Sequence, residues 1–341
     1  MLMDEFEYAL TEDAVAQAPC SPRDAARLLV DNGAGREPSH RHVYDLPELL
    51  REGDLLVVND TRVLPARLRL QRESGGQVEV LLLHKVGSDE STTWEAMVRP
   101  SRKLHVGEIL RFGHPSNDDL TVEVGERVGD GATRFVTLHA LDSQEKALAR
   151  HGTVPLPPYI HTPLEDPERY QTVYARRPAS VAAPTAGLHL TDAVFAGLAA
   201  KGIDVARVEL IVGLDTFRPV AVDDPADHVI HTEQFRVEPD VLERCRAARR
   251  VVAVGTTTVR ALESAARGLS GDRTDLFIRR GFDWQVVDVL MTNFHLPRTT
   301  LLLLVDAFMG PRWRDLYDTA LAEGYRFLSF GDAMLLQRHA G

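Results

Sequence analysis

The residues of this sequence that could do chemistry lie in short polar loops at the ends of strand-like runs. The stretch 292–300 reads TNFHLPRTT and stands between the apolar runs 286–290 and 301–308. The first run is short and β-branched, which predicts a buried strand. The second is Leu-rich and follows Pro and Thr, which predicts the start of a helix. Because ligands of open α/β sheets bind beyond the carboxyl ends of strands, Asn293 and His295 are candidate site residues.

A second crossing of this kind spans residues 249–267. The strand-like run 249–254 leads through Gly255 and the three Thr residues 256–258 into a predicted helix over 259–267. Backbone N–H groups and hydroxyls at such a crossing could bind a carboxylate or a phosphate. The alternative is that the Thr residues only cap the helix. The stretch is not a P-loop, because the Gly spacing and the Lys are absent.

Other candidates stand at further predicted loops and strand ends: Asn59, Tyr159, His189, Thr216, His228, His231, Glu233 and Asp332. Three His and a Glu could ligate a metal ion, although no frame such as HExxH is present. The alternative is that the imidazoles and carboxylates act as acids, bases and hydrogen-bonding groups toward a substrate with several functional groups. Tyr159 lies in the Pro-rich segment PLPPYI, where a packing role is the simplest interpretation.

The elements that would position these residues follow two patterns. Short β-rich runs separated by Gly turns occupy residues 67–70, 77–84, 94–98, 109–112, 120–128 and 133–138. Six such runs at close spacing predict a small antiparallel barrel. Strand and helix patterns alternate in the rest of the chain, which favours an α/β sheet. We therefore predict an α/β main domain, residues 1–65 with 141–341, and an inserted antiparallel β-barrel domain, residues 66–140.

The composition is that of a globular protein. The chain has 341 residues, of which 44% are hydrophobic and 26% are charged, and its formal net charge is −11. The acidic balance argues against a general nucleic-acid coat protein, but it leaves room for an enzyme that holds RNA on a local patch. No apolar run is long enough to span a membrane, and the N-terminus lacks a signal-peptide pattern. With only Cys20 and Cys245, we expect a cytoplasmic protein.

Seven loops, taken in order, carry a resemblance to a known family. They read NDTRVLPARL at 59–68, PLPPYI at 155–160, YQTVYA at 170–175, VAAPTAGLHL at 181–190, VGTTTVRALESAA at 254–266, TNFHLP at 292–297 and YRFLSFGDAM at 325–334. This set resembles the S-adenosylmethionine:tRNA ribosyltransferase-isomerases of queuosine biosynthesis, and the resemblance covers essentially the whole chain. It implies an α/β domain interrupted by a β-barrel, in agreement with the patterns above.

The resemblance also implies a reaction. The ribosyl part of S-adenosylmethionine would move to 7-aminomethyl-7-deazaguanine at the tRNA wobble position and rearrange to epoxyqueuosine, with release of adenine and methionine. Adenine leaves readily only when it is protonated, and the substrate amine attacks only when it is neutral, so the site needs an acid and a base. The sulfonium supplies the electrophilic activation. We therefore expect S-adenosylmethionine as a co-substrate, with no further cofactor and no metal.

We expect particular residues to carry this chemistry in a monomer that binds tRNA and no membrane. The catalytic candidates are His189, His228, His231 and His295. The substrate-binding candidates are Asn59, Arg62, Tyr159, Thr185, Gly187, Thr216, Phe217, Glu233, Gly255, Thr256, Thr257, Arg260, Asn293 and Asp332. Our first choice for an acid–base role is His295, whose ring Asn293 and the helix start at 299–300 could fix. The residues 256–258 could hold the methionine carboxylate.

The sequence departs from the family's usual pattern at several positions. Ile211 replaces a His, and Asp215 and Asp306 stand where small residues are usual; Ala179, Leu190 and the pair Arg279–Arg280 also differ. Two added carboxylates near a site could change the acceptor. A divergent enzyme that uses a free deazapurine nucleoside or another acceptor is therefore one alternative. A non-catalytic RNA- or nucleotide-binding relative is another, which the retained His189, His231 and His295 argue against.

Overall fold

The computed structural model describes residues 1–88, 90–113, 119–129, 132–213, 219–230, 232–269 and 273–339. The chain forms two compact units. One comprises Met1–Thr61, Pro157–Arg177 and Ala183–Gly341, and the other comprises Arg62–Leu156 and Pro178–Ala182. The domain boundaries given above remain a prediction.

The strands of the described residues are β1 Arg27–Val30, β2 Ser39–His42, β3 Asp54–Asn59, β4 Arg62–Val63, β5 Arg67–Gln71, β6 Gln77–Lys85, β7 Thr93–Arg99, β8 Ile109–Leu110, β9 Leu120–Arg127, β10 Thr133–Ala140, β11 Pro178–Ser180, β12 Asp204–Leu210, β13 Glu233–Arg236, β14 Arg250–Val254, β15 Arg273–Thr274, β16 Val289–Asn293 and β17 Ala333–Gln337. The helices are α1 Leu46–Leu49, α2 Gln144–His151, α3 Asp192–Ala200, α4 Pro239–Ala247, α5 Thr256–Ala266, α6 Thr300–Met309 and α7 Trp313–Ala322. Short 3-10 helices include Thr185–His189.

A nine-stranded sheet in the order β15-β13-β12-β3-β14-β16-β17-β1-β2 organises the first unit. Its centre is parallel, since β3 pairs with β12 and with β14, and β14 pairs with β16 in the same direction. Every residue of β3 and β16 is buried. Continuous burial is typical of parallel strands that are covered on both faces. The α/β prediction for this part of the chain is confirmed.

The second unit contains a six-stranded antiparallel sheet in the order β5-β6-β7-β10-β9-β8. Gln71, at the end of β5, and Arg111, just after β8, exchange two backbone hydrogen bonds of 2.7 and 3.0 Å. This bridge joins the two edges into a nearly closed barrel. Alternate residues of β9 and β10 are buried, which is the pattern expected when one face fills a barrel interior. All six strands lie where the sequence predicts them.

Two predicted boundaries near the candidate site were wrong. The strand expected at 286–290 runs instead from Val289 to Asn293, so Thr292 and Asn293 belong to the strand. The helix expected at 259–267 begins at Thr256, so the Thr residues form its first turn. The predicted helix at 301–308 is confirmed within one residue at each end, and the Thr299 hydroxyl caps it by accepting from the N–H of Leu302.

No helix of the described ranges combines the length and the apolar character that crossing a membrane requires.

Candidate active site

A pocket lies at the edge of the large sheet where β3, β14 and β16 end. Parallel pairing puts Val58 opposite Val254, and Val254 opposite Met291, so the residues that follow these positions meet at one edge. The pocket is lined by Tyr159, Ala183, Pro184, Thr185, Ala186, Val212, Gly255, Thr256, Thr257, Thr292, Asn293, Phe294, His295, Leu296, Thr299, Leu301, Leu328 and Ser329. The pocket is partly open, and the space in and above it amounts to about 570 Å³, including solvent at its mouth. Among these residues none has a permanently charged side chain.

His295 is held in this pocket by its backbone and by its ring. The Tyr317 hydroxyl accepts a 2.9 Å bond from its N–H, the Tyr8 hydroxyl donates to its carbonyl, and its Nε2 lies 3.0 Å from the Thr292 hydroxyl. The expectation that Asn293 fixes the ring was therefore wrong. Burial lowers the pKa of His295 to about 3, so the imidazole is neutral at pH 7.

His189 does not line the pocket itself but contacts the lining residue Asn293. The Asn293 Oδ1 accepts from the Thr185 hydroxyl at 2.9 Å, which leaves Nδ2 to donate to the Asp332 carbonyl at 3.3 Å and to His189 Nε2 at 3.2 Å. An amide nitrogen only donates, so His189 Nε2 is the acceptor and its ring proton sits on Nδ1. Burial, opposed in part by the Asp332 carboxylate, lowers the pKa of His189 to about 4.

His189 and His295 are only 4% and 8% exposed, and burial is the main reason that both rings are neutral at pH 7. A buried imidazolium loses its hydration; the Asp332 carboxylate offsets part of this loss for His189, whereas burial alone acts on His295.

The first turn of α5 supplies hydrogen-bond donors to the pocket. Gly255 precedes it with φ +87°, a left-handed conformation that favours glycine. The Thr257 hydroxyl accepts a 3.1 Å bond from Asn59 Nδ2, which in turn donates to the Leu210 carbonyl at 2.9 Å. The Thr256 side chain is more than nine-tenths buried, and its hydroxyl has no partner among the described residues. The N–H groups at a helix start have no intrahelical acceptor either.

Glu233 on β13 and Arg260 on α5 form a buried ion pair. The carboxylate of Glu233 accepts from Arg260 Nη1 and from the N–H of Gly213 at 3.2 Å, while Arg260 Nε donates to the Leu276 carbonyl at 3.1 Å. Neither residue lines the pocket. Gly213 follows the wall residue Val212, so the pair holds the chain next to the pocket.

Several predicted site residues do not line the pocket. Gly187 packs so closely that a Cβ atom there would lie 2.0 Å from the Tyr174 hydroxyl, which gives this glycine a packing role. Asp332 accepts from the backbone N–H groups of Arg27 and Arg326 at 2.9 and 2.8 Å. The His228 ring packs against Phe277. Arg62 lies on β4, in the other unit. Thr216, Phe217, His231 and the variant position Asp215 lie outside the described residues.

Asp306 is not part of the pocket. Its carboxylate, which is fully buried, receives two bonds from Arg280, at 3.0 and 3.1 Å, and one from the Trp313 ring nitrogen at 3.1 Å. The carboxylate of Asp306 thus serves as a buried partner of Arg280 and Trp313, and a change of acceptor at this position stays a prediction. The two departures from the family pattern, Arg280 and Asp306, are partners.

Sequence reasoning missed Tyr8 and Tyr317. Both bond to the backbone of His295, but Tyr8 is separated from it by 287 residues of sequence and Tyr317 by 22. No local pattern therefore points to them. Thr292 carried a weak signal, because it stands three residues before His295 in the stretch that was singled out. Leu328, another wall residue missed, has a left-handed backbone with φ +68°, a conformation that such a side chain rarely adopts.

No group of three or more His, Cys, Asp or Glu suited to metal binding occurs among the residues that the structure describes. Since His231 lies outside them, the expectation of a metal-free site stays a prediction.

Fold and site together define an α/β protein with a pocket without permanently charged side chains at the carboxyl edge of the parallel part of its large sheet. Residues 3–336 match the family model described as "Queuosine biosynthesis protein". The S-adenosylmethionine:tRNA ribosyltransferase-isomerase of Symbiobacterium thermophilum is 47% identical over 98% of this chain and 100% of that protein. The enzyme of the same name from Anaeromyxobacter dehalogenans is 48% identical over 99% of this chain and 100% of its own length.

A solved structure is also similar. The crystal structure of the S-adenosylmethionine tRNA ribosyltransferase from Thermotoga maritima is 34% identical, with a TM-score of 0.53 over 97% of this chain and 99% of that one. The chain belongs to the queuosine biosynthesis protein family.

Proposed function

We propose that this protein transfers the ribosyl moiety of S-adenosylmethionine to 7-aminomethyl-7-deazaguanine at the wobble position of a tRNA and isomerises it, which gives epoxyqueuosine, adenine and methionine. The observation that carries the proposal is the similarity, at 47–48% identity and nearly full length, to relatives that bear this activity in their names. The pocket described above is the proposed donor site.

The pocket chemistry supports S-adenosylmethionine as its ligand. Apolar lining residues such as Ala186, Leu296 and Leu301 suit the faces of a purine and a ribose, and the hydroxyls of the lining Thr and Ser residues could offer hydrogen bonds. The absence of a cation among the described lining residues means that nothing there repels a sulfonium. The methionine carboxylate would bind at the first turn of α5, where the Thr256 hydroxyl and the N–H groups of Thr256 and Thr257 are available.

The neutral imidazoles suit the proton transfers that the reaction needs. A neutral ring at His295 can take the proton that the acceptor amine loses as its nitrogen bonds to the ribosyl carbon. The imidazolium so formed is a strong acid because burial disfavours its charge, so it can pass that proton to the departing adenine. The proton that His295 takes from the amine thus ends on the adenine that leaves. His189 would orient the site through Asn293.

The finer assignments are part of the same proposal. The enzyme would act as a monomer in the cytoplasm on a tRNA that carries the deazaguanine, without a resident metal or cofactor. Thr216, Phe217 and His231 remain candidate site residues. Residues 66–140 would form a domain inserted into an α/β domain of residues 1–65 and 141–341.

An acceptor comparison tests the proposal. The protein is incubated with S-adenosylmethionine and one of three acceptors: tRNA carrying 7-aminomethyl-7-deazaguanine, the same tRNA with guanine, or the free deazapurine nucleoside. We expect adenine release and the mass increase of an epoxycyclopentane only with the first. Turnover of the free nucleoside would favour the divergent enzyme, and no turnover with any of the three would favour a binding protein.

A further inference from the structure

A cationic loop connects β7 to β8 in the six-stranded sheet. We call residues 99–105, which read RPSRKLH, the basic loop. Arg99, Arg102, Lys103 and His105 are exposed, while Ser101 and Leu104 are buried at 8% and 5% exposure. Arg102 and Lys103 have no ion-pair partner within the described ranges. The loop thus turns its small and apolar side chains inward and its cations outward.

Arg134 on β10 holds this loop from inside. It is 3% exposed, and it donates to the Ser101 hydroxyl at 3.0 Å, the Ser101 carbonyl at 2.9 Å, the Leu104 carbonyl at 3.0 Å and the Gly125 carbonyl at 3.0 Å. All four acceptors are neutral. Burial lowers the pKa of Arg134, with the charge of Arg127 acting in the same direction. Burying a guanidinium without a bonded carboxylate is costly, and the four hydrogen bonds that it donates here serve to fix the backbone of the loop.

The far side of the loop is fixed as well. Glu108 accepts from the N–H of His105 at 3.2 Å and from Arg72 at 2.6 and 3.1 Å, and the N–H of Gly107 donates to the Val124 carbonyl at 2.7 Å. Because the backbone is bonded at both ends, the cations extend from a fixed base. A prepared surface of this kind loses little backbone entropy on binding.

The charge distribution favours this part of the chain as a polyanion contact. Residues 62–156 and 178–182 contain 13 Lys and Arg and 13 Asp and Glu, so the net charge of −11 belongs entirely to the rest of the chain. Near the basic loop, the exposed Arg127 adds a fourth cation to Arg99, Arg102 and Lys103, while Glu126 is exposed and Glu108 is already paired with Arg72. The loop contains no Phe, Tyr or Trp for base stacking, and its other exposed side chains are mostly cations, which favours contact with phosphates over readout of bases.

We propose that the basic loop binds the sugar-phosphate backbone of the RNA substrate, with Arg102 and Lys103 as the principal phosphate contacts. This inference rests on the proposed function, because it takes the partner to be tRNA. Among the residues that the structure describes, Val106 is the only large apolar residue exposed next to the loop in sequence, which is too little to anchor the loop in a lipid surface.

The test uses the full chain and the variant Arg102→Ala/Lys103→Ala. Both residues are exposed and unpaired in the described structure, so folding should be retained. We expect tRNA binding, measured by fluorescence anisotropy at several salt concentrations, to weaken about tenfold at low salt. The slope of log K against log salt concentration should fall by about 2, or about 1 for each lost phosphate contact. Binding of S-adenosylmethionine should be unchanged.

The matched control is Lys146→Ala, an exposed cation on α2 of the same unit. It should leave both tRNA affinity and the salt slope unchanged. Unaltered tRNA binding and slope in the double variant, with normal turnover in the wild type, would overturn the loop assignment and leave the proposed function intact. Loss of binding to anionic lipid vesicles, with tRNA binding retained, would also overturn it. A wild type inactive on tRNA would instead refute the proposed function.

Discussion

Acidification should destabilise the protein through its two buried imidazoles. His189 and His295 have folded-state pKa values of about 4 and about 3, against about 6.5 for an unperturbed imidazole. Between pH 6.5 and 4 the unfolded chain therefore binds more protons than the folded chain, and the free energy of unfolding falls as the pH falls. At pH 5 each ring lies about 1.5 pH units below its unfolded pKa, which corresponds to about 2 kcal/mol per ring.

This loss is a large share of a typical net stability of about 5–15 kcal/mol. The assay is urea unfolding at pH 7 and pH 5 for the wild type, His295→Gln and the exposed-site control His161→Gln. A Gln cannot take up the proton, so the difference between the two pH values should shrink by about 2 kcal/mol in His295→Gln only. An equal pH dependence in all three proteins would refute the reasoning, because it would mean that His295 is not buried as a neutral ring.

Three further predictions concern the surroundings of the site. The Glu263 carboxylate accepts hydrogen bonds from the N–H groups of residues 285–287. Chemical denaturation of Glu263→Ala should therefore show a free energy of unfolding that is lower by about 1–3 kcal/mol. Glu263→Gln, which keeps one acceptor oxygen, should lose less. Arg280→Ala should cost about 1–3 kcal/mol by leaving the buried Asp306 carboxylate short of partners, and Arg280→Ala/Asp306→Ala should recover part of that loss; strictly additive effects would contradict the pairing. Elemental analysis should find no stoichiometric zinc or iron, and a metal lost in His231→Ala would contradict this.

The barrel could be predicted from sequence because its signal is local. Strands such as β9 and β10 alternate buried and exposed residues, and Gly turns separate them, so their pattern alone gives their bounds. The strand β16 was placed three residues too early for a tertiary reason. The N–H groups of Val286 and Val287 bond to the carboxylate of Glu263, so these two apolar residues precede the strand. The strand then continues into Thr292 and Asn293, which look like loop residues in sequence.

The candidate site could be predicted in part for the same reason. Asn293, His295 and Thr256 stand at strand ends and a helix start, which local patterns reveal, and the parallel sheet brings them together. The roles of Tyr8 and Tyr317 depend on contacts between distant parts of the chain. The low pKa of His295 could not be foreseen either, because it comes from burial, and burial is a property of the folded protein.

Single-turnover release of adenine tests the central claim, that the pocket around His295 is the catalytic site. The wild type and His295→Ala are mixed with S-adenosylmethionine and saturating tRNA that carries 7-aminomethyl-7-deazaguanine. The rate should fall by about 10²–10⁴-fold in His295→Ala, as expected for the loss of a general acid or base, while folding and S-adenosylmethionine binding change little. A variant that folds, binds S-adenosylmethionine and releases adenine at a near-normal rate would contradict the claim.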